Sequence, residues 1–245
     1  MENLSSNMQR YFVDIAQSII TFNEDDVFHI SKVMRFKTGD EIQIVDKETH
    51  EVFLAVIDTI NPLKVHIQER IIEHSELSKN VTLFFALAKL DKNELVIQKA
   101  TELGVSRIVL FQGERSVVKY TNQDFARKSD RLNAIVKEAS EQCHRNVIPE
   151  IIYVDNIKKI EPYLTDKNFF AYELEAGKAT NIEEHIKSAN KSVSAIIGPE
   201  GGFSAKEAEY LKAVGFIPIS LGNRIYRCET AAIYALSVIA HILEK

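Results

Sequence analysis

From Val81 onward, short apolar runs alternate with amphipathic stretches of helical spacing, and no other feature of this chain restricts its fold so strongly. "VTLFFALA" (81–88) reads as an apolar strand. Asp91 and Glu94 then form a D-x-x-E helix start. Leu95, Val96, Ala100 and Leu103 supply an apolar face, and Gly104 is a suitable stop. "RIVLF" (107–111) is the next strand, and residues 125–145 read as a long helix with Leu132, Ile135, Val136, Ala139 and Cys143 along one stripe. "EIIYV", "NFFAYE", a helix near 181–189 and the strand "VSAII" (193–197) continue the pattern. Strands separated by helices predict an α/β domain with a largely parallel sheet.

The earlier part of the chain has a different period. In "EIQIVD" Ile42 and Ile44 share a face, as do Leu63, Val65 and Ile67 in "LKVHIQERI", with turn-forming "DKETH" and "TINPL" nearby. Several short strands in about seventy residues predict a small β-barrel. The polar segment "EHSELSKN" (73–80) is a plausible linker, which sets domains at 1–74 and 80–245.

The 245 residues carry a net charge of −5, which argues against a strong nonspecific grip on nucleic acid. Only residues 80–145 are net positive, at +3, so any RNA contact is expected to be a local patch. No apolar run reaches transmembrane length, and the start lacks the layout of a signal peptide. Met8 is a candidate natural start, with "MENLSSN" before it a polar, frayed extension. Cys143 and Cys228 stand far apart without metal-type spacing, so neither a disulfide framework nor a metal site is expected, and a reducing cytoplasm is.

Two loops near the end carry the chemistry. "GPEGG" (198–202) follows Ile196 and Ile197 directly, and Ser204 with Glu207 forms a capping box for the helix after it, which stops at Gly215. "FIPISL" (216–221) is another strand, followed by "GNRIYRCET" with Arg224, Arg227 and Glu229 before a helix near Thr230. Two consecutive strands ending in such loops are expected to set them side by side, at the edge where α/β sheets hold ligands. Neither loop has a phosphate-binding pattern, and Glu200 would repel an anion, so a neutral or cationic ligand fits better. A glycine-requiring turn without a ligand is the plainer reading. The final helix, "AAIYALSVIAHIL" (231–243), is apolar almost all round, which predicts either a central core helix or a homodimer contact.

"IIGPEGGFSAKE" and "LGNRIYRCETAA" resemble the RsmE family of 16S rRNA uracil-N3 methyltransferases in the SPOUT superfamily, as do "MQRYFV" (8–13), "HISKVMRFKTGD" (29–40), "KATELGVSRIVLFQGERS" (99–116) and "EASEQCHRNVIPEI" (138–151). Met34 and Tyr226 stand where that family usually has leucine, and Cys143 and His144 interrupt a stretch usually written with a serine. The resemblance implies a PUA-like barrel for RNA docking, an α/β SPOUT domain with a trefoil knot, S-adenosyl-L-methionine as cofactor, a cytoplasmic homodimer, and 16S rRNA of the small ribosomal subunit as partner. No metal is required. It assigns the cofactor to Ile197, Gly198, Pro199, Glu200, Gly201, Leu221, Gly222, Ile225, Tyr226, Thr230 and Ala231. Arg227 would stabilise charge on the uracil, with Glu229 or Glu138 taking its proton. RNA contacts would fall to Arg10, His29, Arg35, Lys89, Lys92, Arg115, Gln142 and Arg145. A noncatalytic RNA-binding protein of the same fold and a doubly wound nucleotide-binding enzyme remain as alternatives.

Overall fold

The computed structural model describes residues 8–17, 19–172 and 182–245. The extension ahead of Met8, the end of "NFFAYE" and the first residue of the helix expected near 181 lie outside them. The chain separates into two compact units, residues 1–76 with 140–147, and residues 77–139 with 148–245. The end of the long helix and the turn after it therefore cluster with the first unit, an excursion that sequence pattern alone did not signal.

In the first unit, strands β1 (Arg10–Ala16), β2 (Ile19–Thr21), β3 (Glu41–Asp46), β4 (Val52–Ile60) and β5 (Leu63–Ile71) form one sheet in the order β2-β1-β3-β4-β5. The β1–β3 pair is parallel and the other pairs are antiparallel. The sheet curls until its edge strands β2 and β5 touch, a barrel-like wrap in line with the small barrel expected. Helix α1 (Glu24–Phe28) and a π-turn over His29–Val33 bridge β2 and β3. Alternate residues point inward, and Tyr11, Val13, Ile42, Ile44, Ala55 and Ile57 make the core with Ile30.

Arg10 is buried beneath this core, 1% exposed. An unpaired guanidinium there would be very costly. Its donors are all used: Gln43 Oε1 at 2.7 and 3.0 Å, the His144 and Arg145 carbonyls at 2.7 and 3.2 Å, Asn146 Oδ1 at 2.9 Å, and the Glu73 carboxylate. Arg145, 2% exposed, pairs with Glu76 at 2.6 Å. These two arginines were expected to meet RNA. They instead hold the 140–147 segment onto the first unit, because a buried fork of five donors is satisfied by carbonyls and carboxylates already inside.

The second unit holds a six-stranded, wholly parallel sheet in the order β11-β9-β10-β6-β7-β8. Its elements run β6 (Asn80–Ala86), α2 (Leu90–Glu102), β7 (Arg107–Phe111), α3 (Asn122–Gln142), β8 (Glu150–Val154), a 3-10 turn (Ile157–Tyr163), β9 (Lys167–Ala171), α4 (Ile182–Ser188), β10 (Ser192–Ile197), α5 (Ala205–Ala213), β11 (Phe216–Ile219) and α6 (Cys228–Leu243). Strand residues alternate between two cores. Leu83, Phe85, Ala195 and Ile197 pack with α2, α3 and α6, while Phe84, Ala86 and Ile196 pack with α5 and the 3-10 turn. Such double burial accounts for strands that read as continuous apolar runs.

Two expectations need correction. Strands β10 and β11 are not neighbours, since β9 pairs with both and separates them. Helix α2 does not start on a D-x-x-E box: its cap is Lys89, without a side-chain bond, and the Asn93 amide bridges the N–H and carbonyl of Ala88 at 3.0 Å each. That buried bridge ties the helix's first turn to the strand-end segment before it. Helix α6 buries Ala232, Ala235, Leu236 and Ile239 within its own unit, while Tyr234, Ser237 and His241 remain exposed.

Replacing Arg10 with methionine leaves Glu73 and four carbonyl-type acceptors without their donor. Urea unfolding should show a loss of about 3–5 kcal/mol.

Candidate functional site

A parallel sheet delivers the ends of all its strands to one edge, and the second unit places a cavity of about 330 Å³ there. Its volume lies within the range of small-molecule sites. Ile197, Gly198, Pro199 and Glu200 form one wall. Leu221, Gly222, Ile225, Tyr226 and Arg227 form the other, with Ala231 behind. The two loops meet over the end of β9, whose Ala171 and Tyr172 also line the space. The loops thus share one cavity although their strands are not adjacent. Sequence reading missed Ala171 and Tyr172 because their strand carries no glycine or charge to mark it. It also missed Gly202, Phe203, Ser220, Asn223, Arg224 and Cys228, which lie inside or beside the loops already singled out. Gly201 and Thr230 do not line the described cavity, and neither do the expected proton acceptors Glu229 and Glu138.

The first wall is rigid for identifiable reasons. A Cβ at Gly198 would come within 3.2 Å of the Phe203 ring, a tight contact that glycine avoids as the turn closes on that aromatic. The capping box is present: Ser204 Oγ accepts from Glu207 N–H at 3.2 Å, and Glu207 Oε2 accepts from Ser204 N–H at 2.8 Å. Glu207 Oε1 accepts from Glu114 N–H at 2.8 Å, and the Ser204 hydroxyl donates to Glu114 Oε2 at 2.6 Å. Arg115 donates to the Gly201 carbonyl at 3.0 Å. The "GERS" loop after β7 therefore clamps the "GPEGG" turn from outside, which is what Arg115 does in this structure.

The second wall turns at Gly222, with φ of +115°. Arg224 donates to the Tyr226 hydroxyl at 2.9 Å and lies over its ring, while Tyr226 stacks on Tyr234 with centroids 5.5 Å apart. Arg227 caps α6 by its backbone only. Arg227 lines the cavity, and its guanidinium has no ion pair or hydrogen bond among the described residues.

Charge is divided between the walls. Lys92 lies 3.3 Å from Glu200 Oε1 and 3.4 Å from Glu229 Oε2. Burial raises the proton affinity of Glu229. Its own backbone N–H, the Cys228 thiol and Lys92 more than offset this, so the carboxylate sits below the ordinary range. Cys228, 3.2 Å from Glu229 Oε2, is pushed up to about 12 by burial and the nearby carboxylates. Of the remaining residues expected to contact RNA, Arg35, Lys89 and Gln142 are exposed, and His29 is half-buried with Nδ1 2.9 Å from the Tyr11 hydroxyl.

Comparison with known proteins agrees with this geometry. Residues 75–240 match the family model described as RNA methyltransferase domain, and residues 22–69 match RNA methyltransferase PUA domain. The chain is 35% identical to ribosomal RNA small subunit methyltransferase E of Bacillus subtilis over 97% of its length and 98% of the relative's. It is 32% identical to the protein of that name in Mesomycoplasma hyopneumoniae, over 94% and 98%. A solved structure from Legionella pneumophila, named as a methyltransferase with the bound cofactor SAM, superposes with a TM-score of 0.84 at 29% identity and covers 96% of this chain and 97% of that one.

With its thiol held protonated, Cys228 should resist alkylation. Mass spectrometry after iodoacetamide at pH 8 should find it unmodified in the folded protein and modified once urea unfolds the chain.

Proposed function

Because this chain belongs to the ribosomal RNA small subunit methyltransferase E family, we propose that it methylates ring nitrogen 3 of a uridine in 16S rRNA of the small ribosomal subunit, using S-adenosyl-L-methionine. The observation that carries this reading is the convergence of both loops on one cavity, with a carboxylate on one wall and an unpartnered arginine on the other. Main-chain groups of Ile197–Gly201 and Leu221–Tyr226 would hold the cofactor, Thr230 and Ala231 would close the site, and Glu200 suits a positive sulfur.

When bound, S-adenosyl-L-methionine supplies a methyl on a sulfonium sulfur, which keeps the bonding electron pair as the methyl leaves. The uracil nitrogen must present a lone pair, so its proton has to go. Negative charge then spreads onto two carbonyl oxygens, and the base must be out of any pairing. Arg227 is free to donate to those oxygens, and stabilising the anion lowers the acidity barrier of the base itself. This matters because Glu229 is held as a weak acceptor by its partners. Proton removal therefore depends more on the arginine than on a strong base. Glu229 and Glu138 are the proposed acceptors, and because neither lines the cavity the proton would reach them through water.

The outer face of α6, with Tyr234 44% exposed, together with Ile225 at 86%, supports a homodimer. The entry of β10 between β9 and β6, followed by β11 beyond β9, supports the trefoil knot. Arg35, Lys89 and Gln142 remain proposed RNA contacts, in a cytoplasmic enzyme acting on small subunits.

Labelled methyl should pass from S-adenosyl-L-methionine to small subunits lacking the modification, and appear as N3-methyluridine after nuclease digestion. Arg227→Ala should lower turnover by about a hundredfold or more while changing cofactor affinity less than about threefold. Full turnover in that variant removes Arg227 from the chemistry.

A further inference from the structure

Lys92 occupies the first turn of α2, where the positive end of the helix dipole disfavours a cation. The Asn93 bridge to Ala88 fixes this turn at the end of β6, and β6 is paired with β10, whose end opens into "GPEGG". The lysine thereby reaches two carboxylates from two other elements, Glu200 in the turn and Glu229 in the first turn of α6. All three side chains are shielded, at 23%, 28% and 15% exposure. Distances of 3.3 and 3.4 Å exceed the roughly 2.8 Å of a strong charge-assisted bond, so the ammonium is shared and committed to neither. One ammonium against two carboxylates leaves a single net negative charge, and of the three groups only Glu200 lines the cavity.

Resting on the S-adenosyl-L-methionine reading above, we propose that Lys92 is a positioning residue that sets the cavity's preference for the cationic cofactor over its neutral product. A positive ligand beside Glu200 competes with Lys92 for that carboxylate, and Glu229 retains the displaced ammonium. Once the sulfur has lost its methyl and its charge, Lys92 returns to Glu200 and compensates it. The lysine thus masks part of the attraction that Glu200 would otherwise exert on a sulfonium, and Glu229 is the second seat that makes the masking reversible.

Calorimetric titration of the full chain with S-adenosyl-L-methionine and with S-adenosylhomocysteine tests this, because the two differ by one methyl and one charge. Lys92→Met should raise the affinity ratio of cofactor to product about three- to tenfold. Lys92→Arg should keep the wild-type ratio, and Glu200→Gln should lower it. Equal weakening of both ligands in Lys92→Met, or an unchanged ratio in Glu200→Gln, overturns the inference and leaves Lys92 as a brace. Failure of the wild-type chain to bind S-adenosyl-L-methionine would overturn the proposed function instead.

Discussion

Both oxygens of one buried carboxylate hold the first wall of the cavity in place. Glu207 Oε2 closes the helix cap on Ser204 N–H, and Oε1 takes the Glu114 N–H from a loop 93 residues earlier in the chain. A carboxylate at 6% exposure is tolerable only when such donors surround it. The arrangement turns a local helix-start signal into a long-range tie, since the loop carrying Glu114 also brings Arg115 onto the Gly201 carbonyl. The "GPEGG" turn is therefore fixed on both sides by the protein's own groups, which lowers the free energy that binding must spend on ordering it.

The opposite wall is built on another principle. Among the described residues, no buried carboxylate is hydrogen-bonded to Leu221–Arg227. The loop is organised by its own side chains, with Arg224 on Tyr226 and Tyr226 on Tyr234. This aromatic brace ties the loop to α6. It accounts for why Arg224 is occupied and Arg227 is not, although the two lie three residues apart in the same loop. The cavity consequently meets a ligand with a partly masked carboxylate on one side and an open guanidinium on the other. That polarity suits a positive group and a developing negative group held close together.

Much of this was legible in the sequence because it follows from period and spacing. The switch from alternating to helical patterning near residue 80, the Ser204–Glu207 box and the glycine turns are local signals, and the structure realises each of them. Strand order is not local. β9 separates β10 from β11 through pairing on both of its edges, and no residue in "NFFAYE" announces that. Long-range burial is equally silent: Arg10 and Arg145 read as surface cations, yet 1% and 2% exposure with satisfied donors makes them structural. Lys92 read as a possible RNA contact, and only the fold brings Glu200 and Glu229 to it from positions 108 and 137 residues later.

The central claim is that two loops from non-adjacent strands serve one ligand. A crystal structure of the chain with S-adenosylhomocysteine tests it most directly. The account predicts one molecule in contact with the main chain of both Gly198 and Gly222, above the end of β9. Density that touches one loop alone, or lies outside this cavity, would contradict it.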